Sequence, residues 1–285
     1  MIDYDVLAEQ NTKGGDTMTQ LIAAICDGGQ TVVTVSDRMV ATGDMTLTFE
    51  PEESKAQPIS NKAVVLLAGT LHEPDLIRDA REKVRGKERI REIADGLKEI
   101  YQELRATRIE DEVLRPCAGI RTIAEYHDKQ TKLHDTVVMD VNERMRRYDL
   151  GLVIVLAGVD EQAHVIQIGN PGAWRSYDNL GYCCTGIGNR HADNVFAWYK
   201  YTQSFPVNEA LYIAFEAKRR AEMAGGVGRA TDALIVSKDG VKAVTQETIG
   251  RLGEIYDQRE GRGQRTGFDK SITELTIETA AVATA

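Results

Sequence analysis

Two almost continuously apolar runs open the patterned part of the chain. Residues 19–26 carry Leu21, Ile22, Ala23, Ala24 and Ile25, residues 31–36 carry Val32, Val33 and Val35, and Asp27-Gly28-Gly29 lies between them. Short apolar runs joined through Asp-Gly predict a β-hairpin, because the turn needs φ > 0 and these residues tolerate it. Continuous rather than alternating apolar positions predict strands covered on both faces. The second run ends in an acid, Asp37, at the rim of the sheet. Residues 44–54 predict a loop or short strand, 63–69 a buried strand and 70–74 a turn. The period then changes. Over residues 75–109, Ile90, Ile93, Ala94, Leu97, Ile100, Tyr101 and Leu104 keep the spacing of one helical face, with a break near Gly86. Glu92, Lys98 and Glu99 fall on the opposite, solvated or subunit-facing side.

Residues 110–135 follow no single period: Arg115-Pro116 breaks a helix and 118–126 resumes one. Residues 137–148 predict a helix, 152–157 and 164–168 strands, and 158–161 and Asn170-Pro171-Gly172 turns. Helices follow at 190–201 and from Pro206 to about 223, the second with Ala210, Ile213, Ala214 and Ala217 on one face and Gly225-Gly226 as its stop. Residues 232–237 and 241–244 make a last hairpin through Lys238-Asp239-Gly240. The order is strands, two helices, strands, two helices, strands. It predicts an α+β fold of two stacked antiparallel sheets with helices outside, a four-layer αββα sandwich over residues 19–250. The charged, then Thr/Ala-rich residues 251–285 predict a tail that is largely disordered beyond about residue 258.

Composition narrows the function classes. A formal charge of −9 argues against nucleic acid as a partner, since phosphate contacts need clustered Lys and Arg. No apolar run approaches the roughly 18–20 residues of a membrane helix, and no signal peptide opens the chain, so a membrane partner is not expected. Cys26, Cys117, Cys183 and Cys184 make neither a zinc spacing nor a disulfide framework and read as buried small hydrophobes in a reducing cytosol. The five histidines are scattered, and neither a metal nor another cofactor is expected.

Several short motifs in order resemble the proteasome β-type subunits, which are N-terminal-nucleophile (Ntn) hydrolases. Thr19, Asp27-Gly28, Asp37 and Gly43 fall where a mature β-type subunit has its first Thr, its Asp-Gly turn, its Asp-Ser-Arg and a following Gly. Lys55 and the strand Asn61-Lys62-Ala63-Val64-Val65-Leu66-Leu67-Ala68-Gly69 match the family's catalytic Lys and Ala-Gly strand without a gap, after a two-residue insertion within residues 46–53. Ala157-Gly158-Val159-Asp160 and Cys184-Thr185-Gly186-Ile187-Gly188 extend the likeness to about residue 244. The resemblance implies the Ntn hydrolase fold and a cytoplasmic, self-assembling threonine peptidase that cleaves peptide or unfolded-protein substrates. The assembly would be a homo-oligomeric ring or a related form, and nothing identifies an unfoldase partner.

By the same resemblance, Thr19 is the nucleophile, Lys55 and Asp37 support it, and the N–H of Gly69 stabilises the oxyanion. Val40, Ala41, Glu53, Leu67 and Leu71 would line the substrate pocket. The chemistry is coherent. A Thr hydroxyl needs a base, and an N-terminal Thr carries one in its α-amine, whose ordinary pKa of about 7.7–8.0 is close to neutral. A nearby ammonium keeps that amine neutral. The chain also departs from the family. Ile187 stands where active subunits keep a Ser, and Ala221 to Gly226 offers Glu222 as the nearest acid where they carry an Asp and a Ser. Arg38 sits one place earlier than the family's Arg. Two other readings therefore stand beside the first: a catalytically inactive structural subunit, and an Ntn amidohydrolase acting on a small amide.

The mechanism requires a chain that begins at Thr19, so residues 1–18 are read as a leader or propeptide. Met18 precedes Thr19, and Lys13-Gly14-Gly15-Asp16 can be encoded by a strong bacterial ribosome-binding sequence. The expectation is translation from Met18 and removal of that Met, with an unusual self-cleavage as the other route.

Overall fold

The computed structural model describes residues 19–41, 48–51, 54–69, 74–263 and 267–282. The expected leader therefore lies outside the described residues. Strands β1 (Gln20–Cys26) and β2 (Thr31–Asp37) form the hairpin, paired from Leu21–Ser36 to Cys26–Thr31. Asp27, Gly28 and Gly29 take φ of 54, 63 and 83°, the left-handed turn that the Asp-Gly signal predicts.

Short strands β3 (Val40–Ala41) and β4 (Thr48–Phe49) pair with each other. Strands β5 (Ala56–Ser60), β6 (Ala63–Gly69), β7 (Leu152–Val159), β8 (Ala163–Gly169) and β9 (Ala173–Ser176) form one antiparallel sheet in that order. Strands β10 (Tyr182–Gly186), β11 (Thr231–Ser237), β12 (Gly240–Val244) and β13 (Thr279–Ala281) join the hairpin in the other, ordered β10-β1-β2-β11-β12-β13. The helices are α1 (Pro74–Val84), α2 (Ile90–Ile109), α3 (Arg115–Ala118), α4 (Ile123–Lys129), α5 (Asp135–Arg147), α6 (Asn189–Trp198), α7 (Val207–Ala221), α8 (Gln246–Gly261) and α9 (Lys270–Thr273). The fold is α+β, with helices packed on both antiparallel sheets.

Period-two alternation explains why the strands read as unbroken apolar runs. Leu21, Ala23 and Ile25 of β1 meet Val64, Leu66 and Ala68 of β6 between the sheets. Ile22, Ala24, Val33 and Val35 turn the other way, onto Phe196 of α6 and Ala210, Ile213, Ala214 and Ala217 of α7. Val65, Leu67, Ile154 and Leu156 likewise face Leu76 and Ala80 of α1 and Ile93 and Leu97 of α2. β1 and β6 each feed two cores, so neither has a polar face to alternate with. None of the described helices is long and apolar enough to cross a membrane.

Two expectations are corrected. Arg115-Pro116 does not interrupt the helical run. A five-residue π turn, Glu110–Leu114, shifts the register so that Pro116 falls in the first turn of α3, where a missing N–H costs no helical bond. This region closes its own small core of Ile109, Val113, Leu114, Ile120, Tyr126 and Val141. The C-terminal segment is the larger correction: the described part of residues 251–285 is not a disordered tail but carries α8 through Gly261, then α9 and β13. Leu252 and Ile272 are buried, and Ile255, Tyr256, Phe268, Leu275 and Ile277 pack on the cluster shared with α7. Arg259 lies over the Tyr212 ring and donates to the Gly267 carbonyl at 2.7 Å. Apolar residues mostly three or four apart among charges anchor this segment, and α8 runs across residue 250, so no domain boundary falls there.

The start of α2 is tied to the sheet by charge. Asp160 accepts from the Ile90 N–H at 2.9 Å and from His164 Nε2 at 3.2 Å, while His164 Nδ1 meets Asp178 at 2.8 Å. The hydrogen bond to Asp178, and then the charges of Asp178 and Asp160, raise the His164 pKa despite burial. Burial works against ionising the two carboxyls, but hydrogen bonds from Ile90, Val165 and His164 hold both below their usual range. A raised histidine pKa contributes stability that is complete below the unfolded value of 6.5 and is lost as pH rises through the folded value. The lowered carboxylates contribute above 3.8 and lose that contribution in acid. His164→Ala should therefore cost most near pH 5–6, about 1–2 kcal/mol by urea unfolding, and clearly less at pH 9. A deficit independent of pH would show that the imidazolium is not the stabilising form.

Candidate active site

β1 and β2 place the first two candidate residues. Their register sets Leu21 opposite Ser36, which brings Thr19 and Gln20 beside Asp37 at the end of the hairpin. Lys55 arrives from the other sheet, just before β5, where its carbonyl accepts from the Leu67 N–H at 3.0 Å. Thr19, Asp37 and Lys55 are 2, 0 and 3 % exposed, so all three polar groups must find partners within the fold.

They find them in one another. Asp37 Oδ1 accepts from Thr19 Oγ1 at 2.8 Å, from the Gln20 N–H at 2.8 Å and from Lys55 Nζ at 2.9 Å. Its second oxygen, Oδ2, accepts from the N–H groups of Met39 and Gly228, both at 3.0 Å. Lys55 Nζ also donates to Thr19 Oγ1. Burial pushes the Lys55 ammonium below its usual pKa, and the Asp37 charge and hydrogen bond work against that shift. Lys218 adds to the lowering, and Glu50 opposes it. Thr19 Oγ1 is thus the meeting point of a buried ammonium and a buried carboxylate whose lone pairs are otherwise taken.

The remaining expected residues are placed less uniformly. Gly69 ends β6, two residues beyond Leu67 and so on the strand beside Lys55. Its φ is +111°, and a Cβ there would collide with the carbonyl oxygen of Gly151. Glycine is thus required by backbone packing, independently of any substrate. Gly69→Ala is expected to lower stability by at least about 1–3 kcal/mol, read as a shifted denaturation midpoint. An unchanged midpoint would contradict this packing. Leu67 is buried in the cluster under α1 and α2 rather than lining an open wall. Val40 is half-buried on β3, and Ala41 is described only by its backbone there. Glu53 and Leu71 lie outside the described residues.

Other groups at the site carried weaker sequence signals. Gly186, in β10 opposite Gln20, takes φ of +117°, and a Cβ on it would strike the Thr19 carbonyl. Arg38 forks Asp232 of β11, with Nε–Oδ2 at 2.8 Å, so its shifted place in the motif serves a cross-strand ion pair. Glu222 is not at Thr19: it accepts from Lys218 Nζ at 2.7 Å and from Arg219 at 2.9 Å. The segment after α7 reaches the site through the Gly228 N–H instead. Lys218 was the detectable omission, because it lies four residues from Ala214 and three from Ala221 on the apolar stripe of α7. Cys26 and Cys183 are buried as expected, while Cys117 and Cys184 are half-buried; burial pushes the Cys26 and Cys183 thiols up to about 12, so neither supplies a thiolate near neutral pH.

The arrangement can polarise a hydroxyl and hold an ammonium fixed beside it. With Met18 attached, the Thr19 nitrogen is an amide and has no basic lone pair; freed, it is the nearest base by covalent connection. No protein-family model matches the chain, and no curated protein matches it.

Proposed function

We propose that this chain is a proteasome-like Ntn hydrolase: a cytoplasmic, self-assembling threonine peptidase whose nucleophile is Thr19. The observation that carries the reading is the buried contact of Thr19 Oγ1 with both Lys55 Nζ and Asp37 Oδ1 at the start of β1. Helices outside two face-to-face antiparallel sheets are the arrangement of an αββα sandwich, which supports the same family.

The chemistry follows from the positions. Once the chain begins at Thr19, its neutral α-amine takes the Oγ proton, and Oγ attacks the substrate carbonyl. The Lys55 ammonium stabilises the developing alkoxide and disfavours protonation of the amine. Asp37 holds Lys55 in place and cannot itself turn away, being fixed by two backbone N–H groups on its far oxygen. The Gly69 N–H is assigned to the oxyanion. Collapse of the tetrahedral species passes the proton from the α-ammonium to the leaving amine and leaves an ester on Thr19. Water, deprotonated by the same amine, hydrolyses that ester.

One observation favours the inactive-subunit reading. Glu222, the nearest acid after α7, is engaged with Lys218 and Arg219, Ile187 replaces one supporting Ser and residues 221–226 hold no other, so the amine lacks the three groups that active subunits have. Hydrolysis of a panel of fluorogenic peptides and small amides by the purified chain decides among the readings. Turnover of peptides is expected; turnover of small amides alone indicates the amidohydrolase, and no turnover by a chain with a free Thr19 indicates the inactive subunit.

A further inference from the structure

We propose that Lys218 is a second lysine of this site, a positioning residue that holds the Gly228 amide on Asp37 and sets a positive charge behind Lys55. The proposal rests on Thr19 being the nucleophile. Lys218 is fully buried on the apolar stripe of α7. An ammonium there loses its hydration, and a Leu or Met would fill the position without that cost. Its Nζ has two partners, Glu222 Oε1 at 2.7 Å and the Arg229 carbonyl at 2.8 Å. Arg229 follows Gly228, whose N–H donates to Asp37 Oδ2 at 3.0 Å. The route from Lys218 to the reacting hydroxyl is therefore continuous: Arg229 carbonyl, Gly228 amide, Asp37, then Thr19 Oγ1. The position is closely packed: a Cβ on Gly228 would strike the Glu50 carboxylate and Met39.

Charge acts alongside geometry. Asp37, Glu222, Arg219 and Lys55 are the charged groups facing Lys218, and Asp37, Glu50 and Lys218 those facing Lys55. Lys55 is bonded to Asp37 and Lys218 lies within reach of the same charge, and each ammonium disfavours a further positive charge on the Thr19 amine. The acid limb of the pH–activity profile reports that amine.

Lys218→Met is expected to lower kcat roughly 10–100-fold at unchanged KM, as a misplaced supporting group does, and to move the acid limb toward higher pH. Lys218→Arg keeps the charge and leaves the limb in place. Glu222→Gln keeps Lys218 and its bond to Arg229, removes a negative charge, and moves the limb toward lower pH; it is the informative variant if Lys218→Met does not fold. A limb that stays put in folded Lys218→Met, or in Glu222→Gln, overturns the proposal, because a merely structural lysine changes amplitude alone. If the wild-type chain hydrolyses nothing, the peptidase reading fails. The Lys218 assignment is then judged by the Lys55 pKa from its 13Cε shift, which should rise in Lys218→Met and would overturn the assignment by staying constant.

Discussion

Thr19→Ala is expected to abolish hydrolysis while leaving the fold intact. The substitution removes Oγ1, which is the attacking atom, but Lys55 and Asp37 keep their direct 2.9 Å contact and Asp37 keeps its three backbone donors. The structural cost is the loss of one hydroxyl's hydrogen bonds, about 1 kcal/mol. Thr19→Ser keeps the hydroxyl and should retain part of the activity, since only the γ-methyl that limits its rotation is gone. Steady-state rates with matched circular dichroism and assembly state check both variants. Undiminished turnover in Thr19→Ala would remove Thr19 from the mechanism.

Lys55→Ala should lower the rate by orders of magnitude, about 10²–10⁴-fold for loss of a group that governs proton transfer. Stability should fall too. Removing one partner of a buried ion pair costs about 3–5 kcal/mol, and the low end applies because Asp37 still accepts from Thr19, Gln20, Met39 and Gly228. Lys55→Arg should not restore activity, because a planar guanidinium cannot place one proton donor on both Thr19 Oγ1 and Asp37 Oδ1 as Nζ does. The double change Lys55→Met with Asp37→Asn separates the two effects. It removes the unpaired charge, but the new amide must turn its NH2 toward a backbone donor, Gln20 on one side or Met39 and Gly228 on the other, so it should regain only part of the stability and none of the rate. A Lys55→Arg chain of near-native rate, or a double variant that regains rate with stability, would make Lys55 a structural charge only.

Much of this site is legible in one sequence, for a physical reason. Thr19 and Asp37 sit at the ends of the two largely apolar strands of the hairpin, so a polar residue at the boundary stands out, whereas Lys55 precedes the mixed strand Ala56–Ser60 and is legible only through its spacing from the strand that ends at Gly69. Pairing of β1 with β2 then brings Thr19 to Asp37 almost by the length of the hairpin alone. What escapes is whatever depends on contacts distant in sequence. Gly228 reaches Asp37 across 191 positions, and no local pattern announces a backbone donor. Gly69 is expected from the resemblance as an oxyanion donor, whereas the need for glycine there comes from Gly151, the residue just before β7. The segment beyond residue 250 was misread because composition averages over its charges, while a few apolar side chains such as Leu252 and Ile272 decide where it packs. Pro116 was misread because a π turn, invisible to a 3.6-residue period, realigned it. Lys218 shows the reverse case: a charge on an apolar helical face was visible in the sequence and carries information about the site.

The central claim, that Thr19 acts through a free α-amine, is tested most directly by a peptide α′,β′-epoxyketone and mass spectrometry of the N-terminal fragment. This electrophile closes a ring with both the hydroxyl and the amine of an N-terminal threonine, so one adduct reports both groups. A mature chain beginning at Thr19 is expected, modified once, on Thr19, with loss of activity in step. A chain that still carries Met18 on Thr19 yet hydrolyses peptides, or an adduct on any other residue, would contradict it.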